Sequence, residues 1–165
     1  MFFVAPYVQE RVEAPTAWSD AIAGLFRAVK TGNRLERRNA IALVESETLK
    51  LPQVAQPLKH RFVNGMYWRE IHNPKGCIIT TRIHREPNIS VITKGRLACI
   101  TEDGLEILEA PAMFETKPGT KRVLYAQEDV TFHTIHPNPL ELRDIAALEA
   151  RITAPDFDAL DKEAV

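Results

Sequence analysis

The stretch of residues 76–95, GCIITTRIHREPNISVITKG, decides the fold of this chain. Two runs within it, at 77–84 and 89–93, are rich in isoleucine, valine and threonine, which favour β-strands. Between these runs, Glu86 and Pro87 indicate a turn, because proline cannot donate a hydrogen bond to a strand ladder. The stretch therefore predicts two consecutive strands joined by a short turn.

The same pattern of short apolar runs and turn residues continues on both sides of this stretch. Turn sequences such as Asp103-Gly104 and Lys117-Pro118-Gly119 separate the runs. Only a closed barrel or two sheets packed face to face can hide so many short apolar faces from water. The chain is therefore predicted to be mainly β, with eight strands at residues 66–72, 77–84, 89–93, 96–102, 105–109, 112–116, 121–126 and 130–136.

Two helices are predicted before the strands. Apolar residues recur with helical spacing between Thr16 and Gly32, which indicates an amphipathic helix. Asn33 and Glu36 have the spacing of a capping box, and they open a second, strongly charged helix that can extend to Leu51. Both helices belong to a predicted N-terminal helical extension at residues 1–51.

A helix and a tail are predicted after the strands. Asn138 is expected to cap this helix, and the acidic tail from Ala154 is expected to be frayed. The predicted barrel thus occupies residues 52–138, and the C-terminal helix and tail occupy residues 139–165. One apolar stripe of the helix is formed by Leu142, Ile145, Leu148 and Ile152.

The charge of the chain excludes a general attraction to nucleic acid or to acidic membranes. The 165 residues carry a formal net charge of -1, and 45% of them are hydrophobic. A cluster of arginines on the second helix is diluted by glutamates, so we interpret it as a solvated helix face. It consists of Arg34, Arg37 and Arg38.

The cysteines and the first residues indicate a cytoplasmic protein. Cys77 and Cys99 both lie in apolar, strand-like runs, where a thiol acts as a small hydrophobic group. Two unpaired thiols suit a reducing compartment. The opening residues lack the positive charge and the long apolar run of a signal peptide.

The glycine-bounded stretch resembles the first motif of the cupin superfamily. That motif contains a His-x-His pair followed by a glutamate, and Arg82, His84 and Asn88 occupy these positions here. Around Gly119 the chain is similar to the second cupin motif, with Arg122 in place of its histidine. The resemblance implies a single cupin-type barrel, a double-stranded β-helix or jelly roll. The N-terminal helices and the C-terminal helix predicted from the residue pattern are added to this barrel.

A longer region resembles cupin-like proteins encoded by tailed bacteriophages. It extends over residues 51–149 and includes the sequence Tyr67-Trp68-Arg69-Glu70 and the sequence Thr134-Ile135-His136. This resemblance implies a phage or prophage origin, and it implies no particular activity.

The substituted motif positions predict a site for a small anionic or nucleotide-like ligand. Arginine has only hydrogen-bond donors and stays protonated, so it cannot replace a metal-binding histidine. It can instead bind a carboxylate or phosphate through two parallel hydrogen bonds. Pairing of each arginine with an internal acid such as Glu70 or Glu115 is the alternative. Strand alternation would place Ile78, Thr80, Arg82 and His84 on one face, and the resemblance to cupins implies that this face lines the cavity. The predicted ligand-binding residues are Arg82, His84, Asn88, Arg122 and Tyr125.

A metal-dependent cupin enzyme is a second hypothesis. Two histidines and one carboxylate bind Fe, Mn, Ni or Zn in many proteins. His84, Glu86 and His136 could form such a set, although Glu86 could equally be a solvent-facing carboxylate. The chain has no nucleophile elbow and no phosphate-binding loop, and no catalytic residue is assigned.

A structural or interaction protein is the third hypothesis, either a virion component or an inhibitor of a host system. In that case the helix at residues 18–29 could dock a partner. Exposed edge strands also favour association between identical chains. We therefore expect a homodimer.

Overall fold

A computed structural model describes residues 3–6 and 16–163 of the chain. Residues 1–2 and 7–15 of the predicted N-terminal extension and the last two residues lie outside these ranges. The strands are β1 (Phe3–Pro6), β2 (Leu58–Val63), β3 (Met66–Asn73), β4 (Cys77–Thr80), β5 (Ile83–His84), β6 (Asn88–Lys94), β7 (Arg96–Thr101), β8 (Gly104–Glu109), β9 (Ala112–Thr116), β10 (Val123–Ala126), β11 (Val130–Pro137) and β12 (Thr153–Ala154). The helices are α1 (Thr16–Thr31), α2 (Arg34–Thr48), α3 (Ile145–Ile152) and α4 (Phe157–Glu163).

Two antiparallel five-stranded sheets form the barrel. One sheet has the order β1-β4-β10-β7-β8 and the other has the order β2-β3-β11-β6-β9. Without β1 and β2, the sheets have the orders β4-β10-β7-β8 and β3-β11-β6-β9. The chain passes from one sheet to the other between consecutive strands, except at the β7–β8 hairpin, as in a jelly roll or double-stranded β-helix. The mainly β, cupin-type fold predicted from the sequence is thus confirmed. Seven of the eight predicted strands are present, whereas the strand predicted at residues 77–84 is divided into β4 and β5, which belong to different sheets.

Two strands at the sheet edges were not predicted. β1 pairs with β4, and β2 pairs with β3 through a tight hairpin. The hairpin turn is formed by Asn64 and Gly65, which have φ angles of 43° and 73°. Asparagine and glycine tolerate these positive angles, so this dipeptide is a strong hairpin signal that the sequence interpretation missed.

The apolar core lies between the two sheets. Its buried side chains come from the inward faces of both sheets, and they include the two cysteines. No charged residue contributes to this cluster. The cluster contains Ile71, Cys77, Ile79, Ile92, Leu97, Cys99, Leu108, Leu124, Ala126, Val130 and Phe132.

Helices α1 and α2 cover the outer face of the first sheet. Leu25 of α1 and Val44 of α2 are buried against Ile78 and Val123. The predicted capping box opens α2, because the Asn33 side chain accepts a hydrogen bond from the Glu36 backbone N–H at 3.0 Å. In return, the Asn33 N–H donates to the Glu36 carboxylate at 2.7 Å.

The arginine cluster of α2 is an anchor, which corrects the interpretation as a solvated face. Arg34 and Arg38 donate to the two carboxylate oxygens of Glu102, at 2.7 and 3.0 Å. Arg37 donates to the Glu102 backbone carbonyl at 3.1 Å. All three arginines therefore converge on the turn between β7 and β8 and hold α2 against the barrel.

The C-terminal region differs from the prediction in two respects. Asp144 caps α3, whereas Asn138 accepts from the Leu142 N–H at 3.0 Å and lies before the helix. The tail is not frayed up to residue 163, because β12 pairs with β5 and α4 follows it. The Phe157 ring of α4 lies 3.8 Å from the guanidinium of Arg38. Among the described helices, none combines the length and the apolar character that a membrane crossing requires.

Candidate functional site

The candidate site begins where the run Cys77–Thr80 stops being a regular strand. Thr81 and Arg82 belong to no strand, and pairing resumes at β5 with a changed orientation. As a result Ile79, Thr81 and His84 line the barrel interior, whereas Ile78 packs against the helices. The prediction that Ile78 and Thr80 share the cavity face with His84 is therefore wrong, because alternation is interrupted between them.

The interior of the barrel is almost filled by side chains. The cavity that remains measures about 10 Å³, which is room for about one water molecule. A nucleotide-like ligand therefore does not fit the interior, contrary to the predicted cavity site. The cavity is lined by Ile71, Asn73, Ile79, Thr81, His84, Ser90, Arg122, Leu124, Phe132 and Thr134.

Arg122 separates this interior from a larger cleft at the open edge between the sheets. The cleft measures about 300 Å³ and lies between β7, β8 and β9 and the loop that follows β9. Arg122 lines both spaces and is only 6% exposed. The other lining residues are Arg34, Cys99, Thr101, Glu102, Asp103, Glu106, Leu108, Phe114, Glu115, Lys117, Pro118 and Thr120.

Polar and aromatic contacts fix the guanidinium of Arg122. It donates to the Thr116 hydroxyl at 2.9 Å and lies 5.6 Å from the Phe114 ring centre. Burial lowers the pKa of Arg122, while the neighbouring Cys99 and Glu106 oppose this shift. Burial also raises the pKa of Cys99 to about 11, so this thiol stays protonated and is a poor nucleophile.

Arg122 forms no ion pair with any carboxylate in residues 3–6 and 16–163. The alternative pairing with Glu70 does not occur, because Glu70 binds Lys59 at 2.7 Å and His72 at 2.8 Å. The neighbouring Lys121 is also buried, but its charge is compensated, because its ammonium group pairs with Glu45 of α2 at 2.7 Å. Arg122 is thus a buried cation that opens onto a cleft.

A second buried arginine was missed by the sequence interpretation. Arg69 of β3 is 3% exposed and lies 3.4 Å from the carboxylate of Glu149 in α3. Burial is the main cause that lowers its pKa. Its inward orientation could have been inferred from the sequence. Arg69 lies two residues from both Tyr67 and Ile71 in β3, so all three side chains are on the same, buried face of the strand.

His84 and His136 form a stacked pair inside the barrel. Their ring centres are 5.3 Å apart, and the Tyr67 ring lies 5.9 Å from His136 on the other side. Burial lowers the pKa of His136 to about 3, with Arg69 adding to the effect. Burial also lowers the pKa of His84, helped by His136, Arg122 and Arg69. Both imidazoles are therefore neutral at physiological pH.

These residues do not fit the metal site that the sequence suggested. Neutral imidazoles are suitable ligands, and His84 Nδ1 and His136 Nε2 have no hydrogen-bond partner among the described residues. However, Glu86 pairs with Arg151 of α3 at 2.9 Å, and it does not converge with the two histidines among the described residues. In the described part of the chain, no three metal-binding side chains converge. Arg69 and Arg122 also give the interior a positive charge, which disfavours a cation.

The remaining predicted ligand residues are dispersed. Tyr125 lies on the outer face of the sheet, in an apolar groove of about 490 Å³ beside α1. Asn88 is buried at the start of β6 and accepts from the Ser90 hydroxyl at 3.5 Å. Arg82 lies in the irregular segment after β4 and lines neither the cavity nor the cleft. The structure therefore brings only His84 and Arg122 of this set to one cavity.

Comparisons with known proteins find only distant similarity. No family model and no curated protein matches the sequence. A cupin-2 domain protein from Shewanella frigidimarina is 14% identical, with a TM-score of 0.42, over 56% of this chain and 89% of that chain. An RmlC-like cupin from Methanocaldococcus jannaschii is 13% identical, with a TM-score of 0.45, over 52% of this chain and 84% of that chain. The cupin-2 domain of a transcriptional regulator from Enterobacter cloacae is 14% identical, with a TM-score of 0.43, over 50% of this chain and 95% of that chain. The fold assignment rests on the strand order.

Proposed function

We propose that this protein binds a small molecule through a carboxylate or phosphate group, with Arg122 as the anchor. The observation that carries the proposal is Arg122 itself, a residue that is only 6% exposed, lines the cleft and forms no ion pair with the described residues. The ligand lies in the cleft between the sheets and not in the barrel interior. No catalytic step is part of this proposal.

The energetics of burial support an anionic ligand. A buried charge without a counter-charge is costly, and a bound anion removes much of that cost. Arginine also offers two parallel donors that match carboxylate and phosphate oxygens. The cleft volume of about 300 Å³ lies at the lower end of the range for small-molecule sites. Phe114, Leu108 and Pro118 give it apolar walls.

Replacement of Arg122 by methionine tests this proposal. We expect wild-type protein to bind butyrate and inorganic phosphate weakly, and Arg122→Met to lose at least about tenfold in affinity because the charge-assisted donors are gone. Arg122→Lys keeps the charge without the planar donors and should lose less. Isothermal titration calorimetry measures both effects. Arg96→Met, at an exposed arginine outside the cleft, is the matched control. Equal affinities for wild type and Arg122→Met would refute the proposal.

We further propose that the protein is an accessory factor of a tailed bacteriophage that acts in the host cytoplasm. This proposal rests on the resemblance of residues 51–149 to phage-encoded cupin-like proteins. A virion component is the alternative assignment. Mass spectrometry of purified virions separates the two, because an accessory factor is absent from the particle.

A homodimer that forms through β8 is the proposed assembly. β8 is paired with β7 on one side only, and Leu105 and Ile107 are exposed on its outer face at 48% and 42%. Two copies related by a twofold axis would continue the sheet and cover each other's apolar side chains. Light scattering should give the mass of two 18.6 kDa chains, and Ile107→Lys should give one. Leu35→Lys on exposed α2 is the control, and a monomeric wild type would contradict the proposal.

A further inference from the structure

The charges that line the cleft are not those of a simple anion site. Three positive side chains and four negative side chains surround it. Some of these charges neutralise each other, since Glu102 pairs with Arg34 and Arg38. Asp103 lies 3.6 Å from the same Arg34. These groups are engaged in holding α2 to the barrel, and they leave a smaller set of charges for a ligand.

Two cations and two carboxylates remain after these ion pairs are assigned. Arg122 and Lys117 are the cations, and Glu106 and Glu115 are the carboxylates. None of the four forms an ion pair with another described residue. The part of the cleft that faces a ligand is therefore close to neutral overall, with both signs of charge present.

Strand pairing places one of these carboxylates close to Arg122. Glu106 of β8 is directly opposite Cys99 of β7 in the strand register. The Cys99 thiol is itself a neighbour of the Arg122 guanidinium, and Glu106 acts electrostatically on that arginine. A ligand whose carboxylate binds Arg122 therefore also approaches Glu106, which repels an anion and attracts a cation.

We infer that the ligand of this cleft is a zwitterion, such as a small amino acid, whose anionic group binds Arg122 and whose ammonium group binds Glu106. The inference rests on the proposed binding function and narrows its ligand class. A polyanion such as a nucleotide would bring several negative charges within reach of Glu106 and Glu115. A ligand with one charge of each sign can pair its anionic group with Arg122 and its cationic group with Glu106.

A set of matched probes tests the inference. Butyrate carries only the anion, butylamine carries only the cation, and 4-aminobutyrate carries both on the same carbon chain. Glycine, β-alanine and 5-aminopentanoate extend the zwitterion series to other lengths. In calorimetric titrations, we expect one ω-amino acid to bind at least about tenfold more tightly than butyrate and butylamine.

The Glu106→Gln variant should reduce this preference to about threefold or less, because the ammonium group loses its charged partner. Glu109→Gln is the matched control on the same strand, since Glu109 is 69% exposed and pairs with Arg96 outside the cleft. It should leave every affinity unchanged. The side chain of Glu106 is exposed, so its replacement is not expected to prevent folding.

The outcomes separate the inference from the function on which it rests. If butyrate binds more tightly than every ω-amino acid, and Arg122→Met lowers the affinity for butyrate, the inference of a zwitterionic ligand is wrong and the proposed anion binding stands. An ω-amino acid preference that Glu106→Gln does not change would overturn the assigned role of Glu106 and with it the inference. If no probe distinguishes wild type from Arg122→Met, both the function and the inference fail.

Discussion

Gly95→Ala is expected to destabilise the fold by about 4 kcal/mol or more, which is a large fraction of the roughly 5–15 kcal/mol that stabilises a typical domain. Gly95 lies between β6 and β7 with a φ angle of 82°, where a side chain is strained. A Cβ atom at this position would also lie 2.3 Å from the carbonyl oxygen of Asp129 and 3.1 Å from the Cα of Val130. These are backbone atoms, so the clash cannot be relieved by a change of rotamer.

Gly65→Ala is the matched control for this prediction. Its φ angle of 73° is similar, but the nearest atom to an added Cβ is 3.9 Å away. It should therefore cost only the backbone strain, about 1–2 kcal/mol. Urea unfolding followed by circular dichroism measures both variants. If the two substitutions cost the same, the close approach between the β6–β7 turn and the segment before β11 does not contribute to stability.

The protein is expected to lose stability steeply as the pH falls below about 6.5, because the buried pair of neutral histidines must be protonated on unfolding. The pKa of His136 is lowered from 6.5 to about 3 in the folded state. Between these two pH values the unfolded chain therefore binds one more proton than the folded chain. Each decrease of one pH unit then lowers the free energy of unfolding by about 1.4 kcal/mol. Because the unfolded imidazole is only half protonated at pH 6.5, the loss of stability from His136 alone between pH 6.5 and 4.5 is about 2 kcal/mol.

Other groups act in the same direction over this range. His84 has a lowered pKa for the same reason of burial, as have the less buried His60 and His133. Arg69 and Arg122 face the pair from neighbouring strands and oppose its protonation. Glu70, whose pKa is lowered from 4.5 to about 2, adds acid sensitivity only at lower pH. The window above pH 4.5 therefore reports mainly on histidines.

His136→Phe is the variant that isolates the effect. It keeps a ring between Tyr67 and His84 and removes one titrating group. The number of protons that the chain takes up on unfolding should decrease by about one between pH 6.5 and 4.5, and the free energy of unfolding should depend less steeply on pH. Urea unfolding at several pH values gives this slope. An unchanged slope would show that His136 is accessible to protons in the folded state.

Local signals in the sequence predicted much of the fold. The eight barrel strands follow from short β-branched runs between turn residues, and the capping box at Asn33 and Glu36 follows from a fixed spacing. Both depend on interactions between residues close in the chain, so a sequence pattern can represent them. The Asn64-Gly65 hairpin was equally local and was overlooked.

The candidate site was predicted less well, because it depends on strand phase and on distant partners. The interruption at Thr81 and Arg82 reversed the assignment of faces around β4. Tyr125 was grouped with Arg122, although strand alternation carries it to the outer face of the sheet. Glu86 was assigned to a metal site, but its partner Arg151 is 65 residues away in the chain. No local pattern indicates such a partner.

The sequence by itself determined the short runs that form the central strands of the two sheets and the capping box that opens α2, because these properties belong to short segments. Only the tertiary structure decided that the barrel interior is filled, that Arg122 opens onto a cleft at the sheet edge, and that the α2 arginines bind Glu102. These features arise from the packing of two sheets and a helix pair that are distant in the chain. The volumes and ion pairs of a site depend on that packing, which residue spacing does not specify.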